Sequence, residues 1–264
     1  MAYRQGMTQI WAHRGASAHA PENTLPAFEL AVRQGAQGVE LDVQRTADGT
    51  VVAIHDETVD RVSDGMGRVV DLTLAQLRSL DLRPATDHGA DGASGRDGTA
   101  YPEPVRVPTL AEVLDLLAST GLRVNVELKN GLEPYPGLEE DVEAVVRASR
   151  LAGEAAERVV YSSFNHRSLL RLRELGTRVP LGVLHVEALV RPWEYAASFG
   201  ARALHPMAAA VLPEEVEQAH AAGIAVHVWT VDDPQLVRRL AGWGVDAVIT
   251  NQPEQALAAL AEHP

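Results

Sequence analysis

The stretch Gly38-Val-Glu-Leu-Asp-Val-Gln-Arg-Thr-Ala-Asp-Gly-Thr-Val-Val-Ala-Ile-His-Asp56 decides how the chain is read. Val39, Leu41 and Val43 alternate with Glu40, Asp42 and Gln44, the period of an extended strand. That period puts Glu40 and Asp42 on one face, two positions apart. A parallel strand covered by helices is buried on both faces. Two carboxylates in such an interior are costly unless a cation neutralises them. The segment 46–49 is a turn signal and 51–54 a second short strand, which returns His55 and Asp56 toward the carboxylates. A paired acid cluster with a returning histidine suggests metal-assisted acid/base chemistry.

Upstream, 9–13 reads as a strand ending in His13-Arg14-Gly15. Pro21-Glu22-Asn23-Thr24 then opens a helix, with Asn23 or Thr24 as cap and Pro26 in its first turn. Leu25, Phe28, Leu30 and Val32 supply its apolar side, and the strand from Gly38 completes a β-α-β unit.

Downstream, the pattern breaks between Glu57 and Pro108. A short capped helix is expected over 71–77. The segment 83–104 holds Gly89, Gly92, Gly95 and Gly98 among scattered Asp, and reads as a functional lid or a mobile loop with no core of its own. Regularity then returns. Helices are expected over 109–118, 138–151, 166–175, 188–199, 213–222, 232–241 and 253–261. Strands are expected over 124–129, 158–162, 180–184, 203–205, 224–229 and 245–250. The count is about eight strand-then-helix units, the number that closes a TIM (β/α)8 barrel. The chain is therefore expected to be one barrel domain over 1–264, with a small capping insertion after the second strand at about 57–107.

Composition narrows the chemistry. With no cysteine among 264 residues, disulfides, zinc-thiolate sites and thiol nucleophiles are excluded, and any metal must be held by oxygen or imidazole. A formal net charge of −13 argues against nucleic acid or an anionic membrane as partner. No apolar run is long enough to span a bilayer, and the start has no apolar signal region, so a cytoplasmic protein is expected. A homo-oligomer stays open.

Polar residues gather at strand ends, the rim that carries chemistry in such barrels. Glu40, Asp42 and Glu127 share inward parity on separate strands, and three hard oxygen ligands suit one divalent cation, Mg²⁺ or Ca²⁺. The alternative is a structural ion cluster with Arg14 and Lys129. His13 and His55 are the candidate acid/base pair, since histidine titrates nearest neutral pH. Arg14 and Lys129 supply positive charge suited to phosphate. His205 is either a substrate contact or structural, and Trp229 either packs on the substrate or plugs the barrel. His19, His88, His166, His185, His220 and His227 read as surface or packing residues.

These segments carry a resemblance. His13-Arg14-Gly15-Ala-Ser, Pro21-Glu-Asn-Thr24, Gly38-Val-Glu-Leu-Asp-Val43, Val52-Ala-Ile-His-Asp56 and Asp71-Leu-Thr73 resemble the glycerophosphodiester phosphodiesterase family. So do Val107-Pro-Thr-Leu110, Val126-Glu-Leu-Lys129, Ser162-Ser-Phe164, Val228-Trp-Thr-Val231 and Ile249-Thr-Asn-Gln-Pro253. The match runs in order from Trp11 to Glu254. It implies a metal-dependent barrel that hydrolyses glycerophosphodiesters, small-molecule substrates, to glycerol 3-phosphate and an alcohol. It further implies His13 and His55 as acid and base, Glu40, Asp42 and Glu127 as metal ligands, and Arg14 and Lys129 as phosphate contacts. The glycerol hydroxyl beside the phosphate is the first nucleophile that the resemblance suggests; water is the other option. Asn251 stands where the family usually has Asp, and the loop near Gly89 to Gly98 is longer than a minimal insertion. A phospholipase of the same architecture, of sphingomyelinase D or phosphoinositide phospholipase C type, is the rival enzyme. It expects a run of exposed aromatics or lysines in the insertion to bind a bilayer, and no such run is read there. A non-catalytic phosphodiester-binding barrel expects one of the histidines or acids to be lost, and none is.

Overall fold

A computed structural model describes residues 7–82 and 104–262. The strands are β1 (Gln9–His13), β2 (Gly38–Arg45), β3 (Val51–Ala53), β4 (Arg123–Leu128), β5 (Val159–Ser163), β6 (Leu181–His185), β7 (Ala203–Pro206), β8 (Ala225–Val228) and β9 (Ala247–Thr250). The helices are α1 (Leu25–Arg33), α2 (Leu74–Leu77), α3 (Leu110–Ala118), α4 (Leu138–Ala148) and α5 (Ala155–Arg158). They continue with α6 (His166–Glu174), α7 (Pro192–Ser198), α8 (Pro213–Ala221), α9 (Pro234–Gly242) and α10 (Pro253–Ala261).

Eight strands pair in parallel, and β1 hydrogen-bonds to both β2 and β9, so the sheet closes into a barrel. The ninth, β3, pairs antiparallel with the far end of β2, Val43 opposite Ala53. The hairpin expected after Gly38 is thus present, and it lifts the chain above the barrel mouth. Helix starts follow the capping signals. Thr24 caps α1 by accepting from the Ala27 amide, and Thr109 and Glu112 form a reciprocal box at α3.

The main core lies between barrel and helices, with Phe28, Leu114, Leu138 and Leu172 fully buried in it. A second cluster, Trp11, Val160, Ala247 and Ile249, fills the barrel interior beneath Trp229. Close approach inside the barrel needs a missing side chain: a Cβ at Gly182 would fall onto the His205 ring.

Three details differ from the sequence expectation. The helix expected over 188–199 begins only at Pro192, because proline restricts the residue before it and Arg191 takes the left-handed conformation (φ 54°). The short helix α5 is additional. The described part of the insertion has a core of its own: Val52, Ile54, Val59, Val62, Val69, Leu77, Leu82, Val105 and Val107 pack together. His88 and the glycine-rich stretch from Gly89 to Gly98 lie outside the described residues.

Candidate active site

Register brings the acids together. Glu40 on β2 stands opposite His13 on β1 and Asn125 on β4, and Asp42 stands opposite Glu127. Side chains two apart on a strand share a face, so both layers point into the barrel mouth. Oxygens of Glu40, Asp42 and Glu127 lie within 4.8 Å of one another, and all three residues are buried.

The turn after β1 tightens this cluster. Arg14 (φ 57°) and Asn23 (φ 57°) are two of the three non-glycine residues with left-handed backbone among those described. Strain of that kind persists only where surroundings impose it. Arg14 in that conformation donates its backbone N–H to Glu40 Oε2 at 3.0 Å and sets its Nε 3.2 Å from Asp42 Oδ2. Gly15 follows because a Cβ there would meet the Ala27 backbone at 2.6 Å. Asn23 grips Asp42 twice, donating Nδ2 to Oδ2 (2.9 Å) and accepting from the Asp42 amide (3.2 Å). On the other side Lys129 Nζ lies 3.2 Å from Glu127 Oε1 and 3.9 Å from Asp42 Oδ1.

Even so, the acids outnumber their cations. Burial, then the charges of Asp42 and Glu127, raises the Glu40 carboxyl well above its ordinary value. Burial and Asp42 push Glu127 up to about 7. Asp42 is instead lowered: its burial opposes ionisation, but Arg14, His55 and Lys129 outweigh that. Glu40 Oε1 and Asn125 Oδ1 are buried oxygens with no hydrogen-bond donor, and Glu127 Oε1 has only its ion pair with Lys129. Buried acceptors are normally satisfied, so these three converging oxygens fit a hard divalent cation.

The two histidines present themselves alike. His13 Nδ1 lies 2.7 Å from Asn251 Oδ1, and its Nε2 lies 3.9 Å from Glu40 Oε2. His55 Nδ1 lies 2.6 Å from Asp56 Oδ1, and its Nε2 accepts from Lys129 Nζ at 3.1 Å. Burial, then the charge of Arg14, lowers His13 to about 4. Gln44, on the buried strand β2, donates to the His55 and Asp56 carbonyls (2.8 and 2.7 Å) and so fixes the end of the hairpin.

The recess over the cluster is lined by His13, Arg14, Glu40, His55, Asn125, Glu127 and Lys129 on its polar side, and by Phe164, Leu184, Trp229 and Ile249 on the other. Phe164 meets Trp229 edge-on, centroids 5.5 Å apart. A second, wider recess shares His13 and Arg14 and runs past Ser17, Glu22, Arg61, Asp232 and Asn251 toward the insertion.

Of the residues expected from sequence, eight therefore meet at one mouth: His13, Arg14, Glu40, Asp42, His55, Glu127, Lys129 and Trp229. His205 does not. It is fully buried a layer below, its Nε2 2.9 Å from His227 Nδ1, and it lines neither recess. The structural reading of His205 is the one that its position fits, because the ring fills the space left by Gly182. Strand parity sets Asn125 on one face with Glu127 and Lys129 but gives it no role. Phe164 and Asp232 enter through loops and carry no periodic signal.

A barrel with an acidic cradle flanked by two histidines and two cations at its C-terminal mouth defines a phosphoryl-transfer enzyme in chemical terms. Residues 13–255 match the profile of the glycerophosphoryl diester phosphodiesterase family. A glycerophosphodiester phosphodiesterase of Caldanaerobacter subterraneus subsp. tengcongensis is 40% identical over 94% of this chain and 95% of its own length. One from Bacillus altitudinis is 35% identical over 95% and 97%. Among solved structures, a phosphodiesterase of Oleispira antarctica, in complex with its product sn-glycerol-3-phosphate, superposes with a TM-score of 0.80 at 29% identity, covering 97% of both chains. The chain belongs to this family and is an enzyme that hydrolyses glycerophosphodiesters. No helix among the described residues is long and apolar enough to cross a membrane.

Proposed function

We propose that the enzyme divides acid and base work between His13 and His55, across a cation cradle made by Glu40, Asp42 and Glu127. One observation carries this reading: both rings are held at Nδ1 by an oxygen and turn Nε2 toward the cradle. Mg²⁺ or Ca²⁺ bound there would polarise the phosphoryl oxygens and offset their charge. Arg14 and Lys129 sit where phosphate oxygens would enter. Trp229 and Phe164 wall the apolar side of the substrate.

The two rings differ in what stands behind them. His13 is backed by a neutral amide and is lowered to about 4, so at neutral pH it is an unprotonated base. His55 is backed by a carboxylate, Asp56, whose Oδ1 lies 2.6 Å from Nδ1. His13 therefore takes the proton of the attacking glycerol hydroxyl as the new P–O bond forms. Once Nε2 is protonated, with Lys129 turned from it to the phosphate, His55 gives that proton to the departing alkoxide as the old bond breaks. Water then opens the resulting cyclic phosphate with the roles exchanged, which returns both rings to their starting state. The product is glycerol 3-phosphate.

The test varies the leaving group. His13→Ala and His55→Ala should each lose about 10²- to 10⁴-fold in kcat on an alkyl diester. With a nitrophenolate leaving group, which departs without a proton, His55→Ala should recover most of its loss and His13→Ala should not. Equal recovery by both variants, or by neither, would overturn the division of roles.

A further inference from the structure

The proton on His13 has one place to sit, and two residues outside the reacting set decide it. We propose that Asn251 and Asp232 form a positioning device that locks His13 in the tautomer with its proton on Nδ1 and its lone pair on Nε2. The proposal rests on the reading of His13 as the base.

Direction follows from donors and acceptors alone. An ionised carboxylate can only accept. Asp232 Oδ1 receives the Thr250 hydroxyl and the Asn251 backbone N–H, each at 2.8 Å. Asp232 Oδ2 lies 2.6 Å from the side-chain amide of Asn251, so the group facing it must be the NH₂. A flipped amide would set its carbonyl against a carboxylate at that distance, two acceptors with no proton between them. Oδ1 of Asn251 is thereby turned toward His13 Nδ1, 2.7 Å away, and toward Ser17 Oγ, 2.8 Å away.

Ser17 does not choose the orientation: its one hydroxyl proton serves either Asn251 Oδ1 or the His13 carbonyl, each 2.8 Å away, so the direction of the amide rests on Asp232. The only proton available between Asn251 Oδ1 and the ring is the ring's own. In a neutral imidazole, a proton on Nδ1 leaves Nε2 bare. That atom faces Glu40 at 3.9 Å, the side from which substrate is approached. Asp232 thus acts through Asn251, and Asn251 through His13. The carboxylate stands one residue back from the ring, where it orients the base without placing its charge directly on it.

Three variants separate this from a merely structural role. Asp232→Ala leaves the Asn251 amide free to turn over. Its NH₂ would then face Nδ1 and favour the tautomer with the proton on Nε2. Asn251→Leu removes the acceptor outright. Each should lower kcat about 10- to 100-fold, the usual worth of a partner that orients a functional histidine, with KM within about threefold. The exchange N251D/D232N keeps the pattern: the carboxylate now at position 251 accepts from the ring and from Ser17, and the amide now at position 232 donates to that carboxylate. It should restore kcat to within about threefold of the parent.

Nitrogen-15 spectra of the His13 ring, assigned by the signals lost in His13→Gln, read the tautomer without turnover. They should show protonated Nδ1 in the parent and in the exchange, and a mixed or reversed pattern in Asp232→Ala. An unchanged tautomer in both single variants would overturn the device. A changed tautomer with unchanged kcat would instead overturn the base assignment beneath it. If Asp232→Ala does not fold, Asn251→Leu and the exchange decide the matter, and slow turnover of a folded exchange variant counts against the proposal.

Discussion

Two pairs of histidines share one barrel. His13 and His55 stand at the mouth, each tied at Nδ1 and turning Nε2 toward the acids and Lys129. His205 and His227 lie fully buried below, bonded to each other through Nε2 and Nδ1, with His205 Nδ1 unmatched. Burial lowers His205 to about 3, with the nearby His185 acting the same way. It lowers His227 well below the ordinary value, with His205 and Arg123 adding to it. The residue is the same in all four places. Height in the barrel decides its use: at the mouth a ring can exchange protons with a substrate, and one layer down it can only fill space as a neutral polar group.

The mouth should answer first to loss of its cation cradle. Removing divalent ions, or replacing Glu127 by Gln, is expected to abolish turnover. Restored Mg²⁺ or Ca²⁺ should recover the chelated parent and raise its melting temperature, because a ligand bound only by the fold stabilises it. Full turnover after exhaustive chelation, checked by elemental analysis, would break the metal side of the reading. A smaller but still large effect is expected from the substrate. If the hydroxyl beside the phosphate is the nucleophile, its deoxy analogue should bind competitively yet turn over at least about a hundredfold more slowly. Near-normal turnover would mean direct attack by water.

The interior pair should answer in stability and leave chemistry alone. Both rings are neutral in the fold, and unfolding returns them to an ordinary value of about 6.5. Below that pH the unfolded chain binds protons that the fold refuses. Stability should therefore be complete above about pH 6.5 and decline as the pH falls toward the folded value of about 3 for His205. The decline contributed by each ring is at most about 1.4 kcal/mol per pH unit. His205→Asn should cost about 1–3 kcal/mol at pH 7, flatten that decline in urea titrations, and leave kcat per folded molecule unchanged. A specific loss of kcat would return His205 to the substrate side.

Much of the mouth was legible because strand parity is legible. Glu40, Asp42, Glu127 and Lys129 follow from a period of two, and the hairpin that carries His55 follows from the turn at 46–49. Asn125 follows from the same parity, but a neutral amide, unlike a carboxylate, carries no charge that marks it as a ligand. The height of His205 was not readable: it depends on the stagger between neighbouring strands, which a single strand does not reveal. Asp232 lies in a loop nineteen positions before Asn251, and no local pattern joins them. The core of the insertion has no periodic signal, because Val52, Ile54, Val59, Val62, Val69 and Leu77 are too irregularly spaced to form one helix or strand.

The smallest effect tests whether that insertion belongs to the mouth or merely sits beside it. Arg61, from the insertion, donates to Asp56 Oδ2 at 2.6 Å and to both oxygens of Glu22 at 2.7 and 2.8 Å. Asp56 holds the Nδ1 of His55, and Glu22 accepts from Arg14 at 3.0 Å. One guanidinium therefore braces the partner of His55, the proposed acid, and the partner of Arg14, the proposed phosphate contact. Arg61 is 40% exposed at its side chain, so its ion pairs are screened and their loss should cost no more than about 1 kcal/mol of stability. Positioning is less forgiving than stability, since Asp56 and Glu22 each lose a bond that fixes their direction. Arg61→Ala is expected to lower kcat severalfold, by less than about tenfold, with the melting temperature nearly unchanged. Arg61→Lys should fall between the two, because an ammonium keeps the charge but cannot span both carboxylates with paired bonds. Salt should mimic part of the loss in the parent and have little further effect on Arg61→Ala. If Arg61→Ala turns over at the parent rate across that range of salt, the brace is ornamental, and the mouth orders its two histidines without help from the insertion.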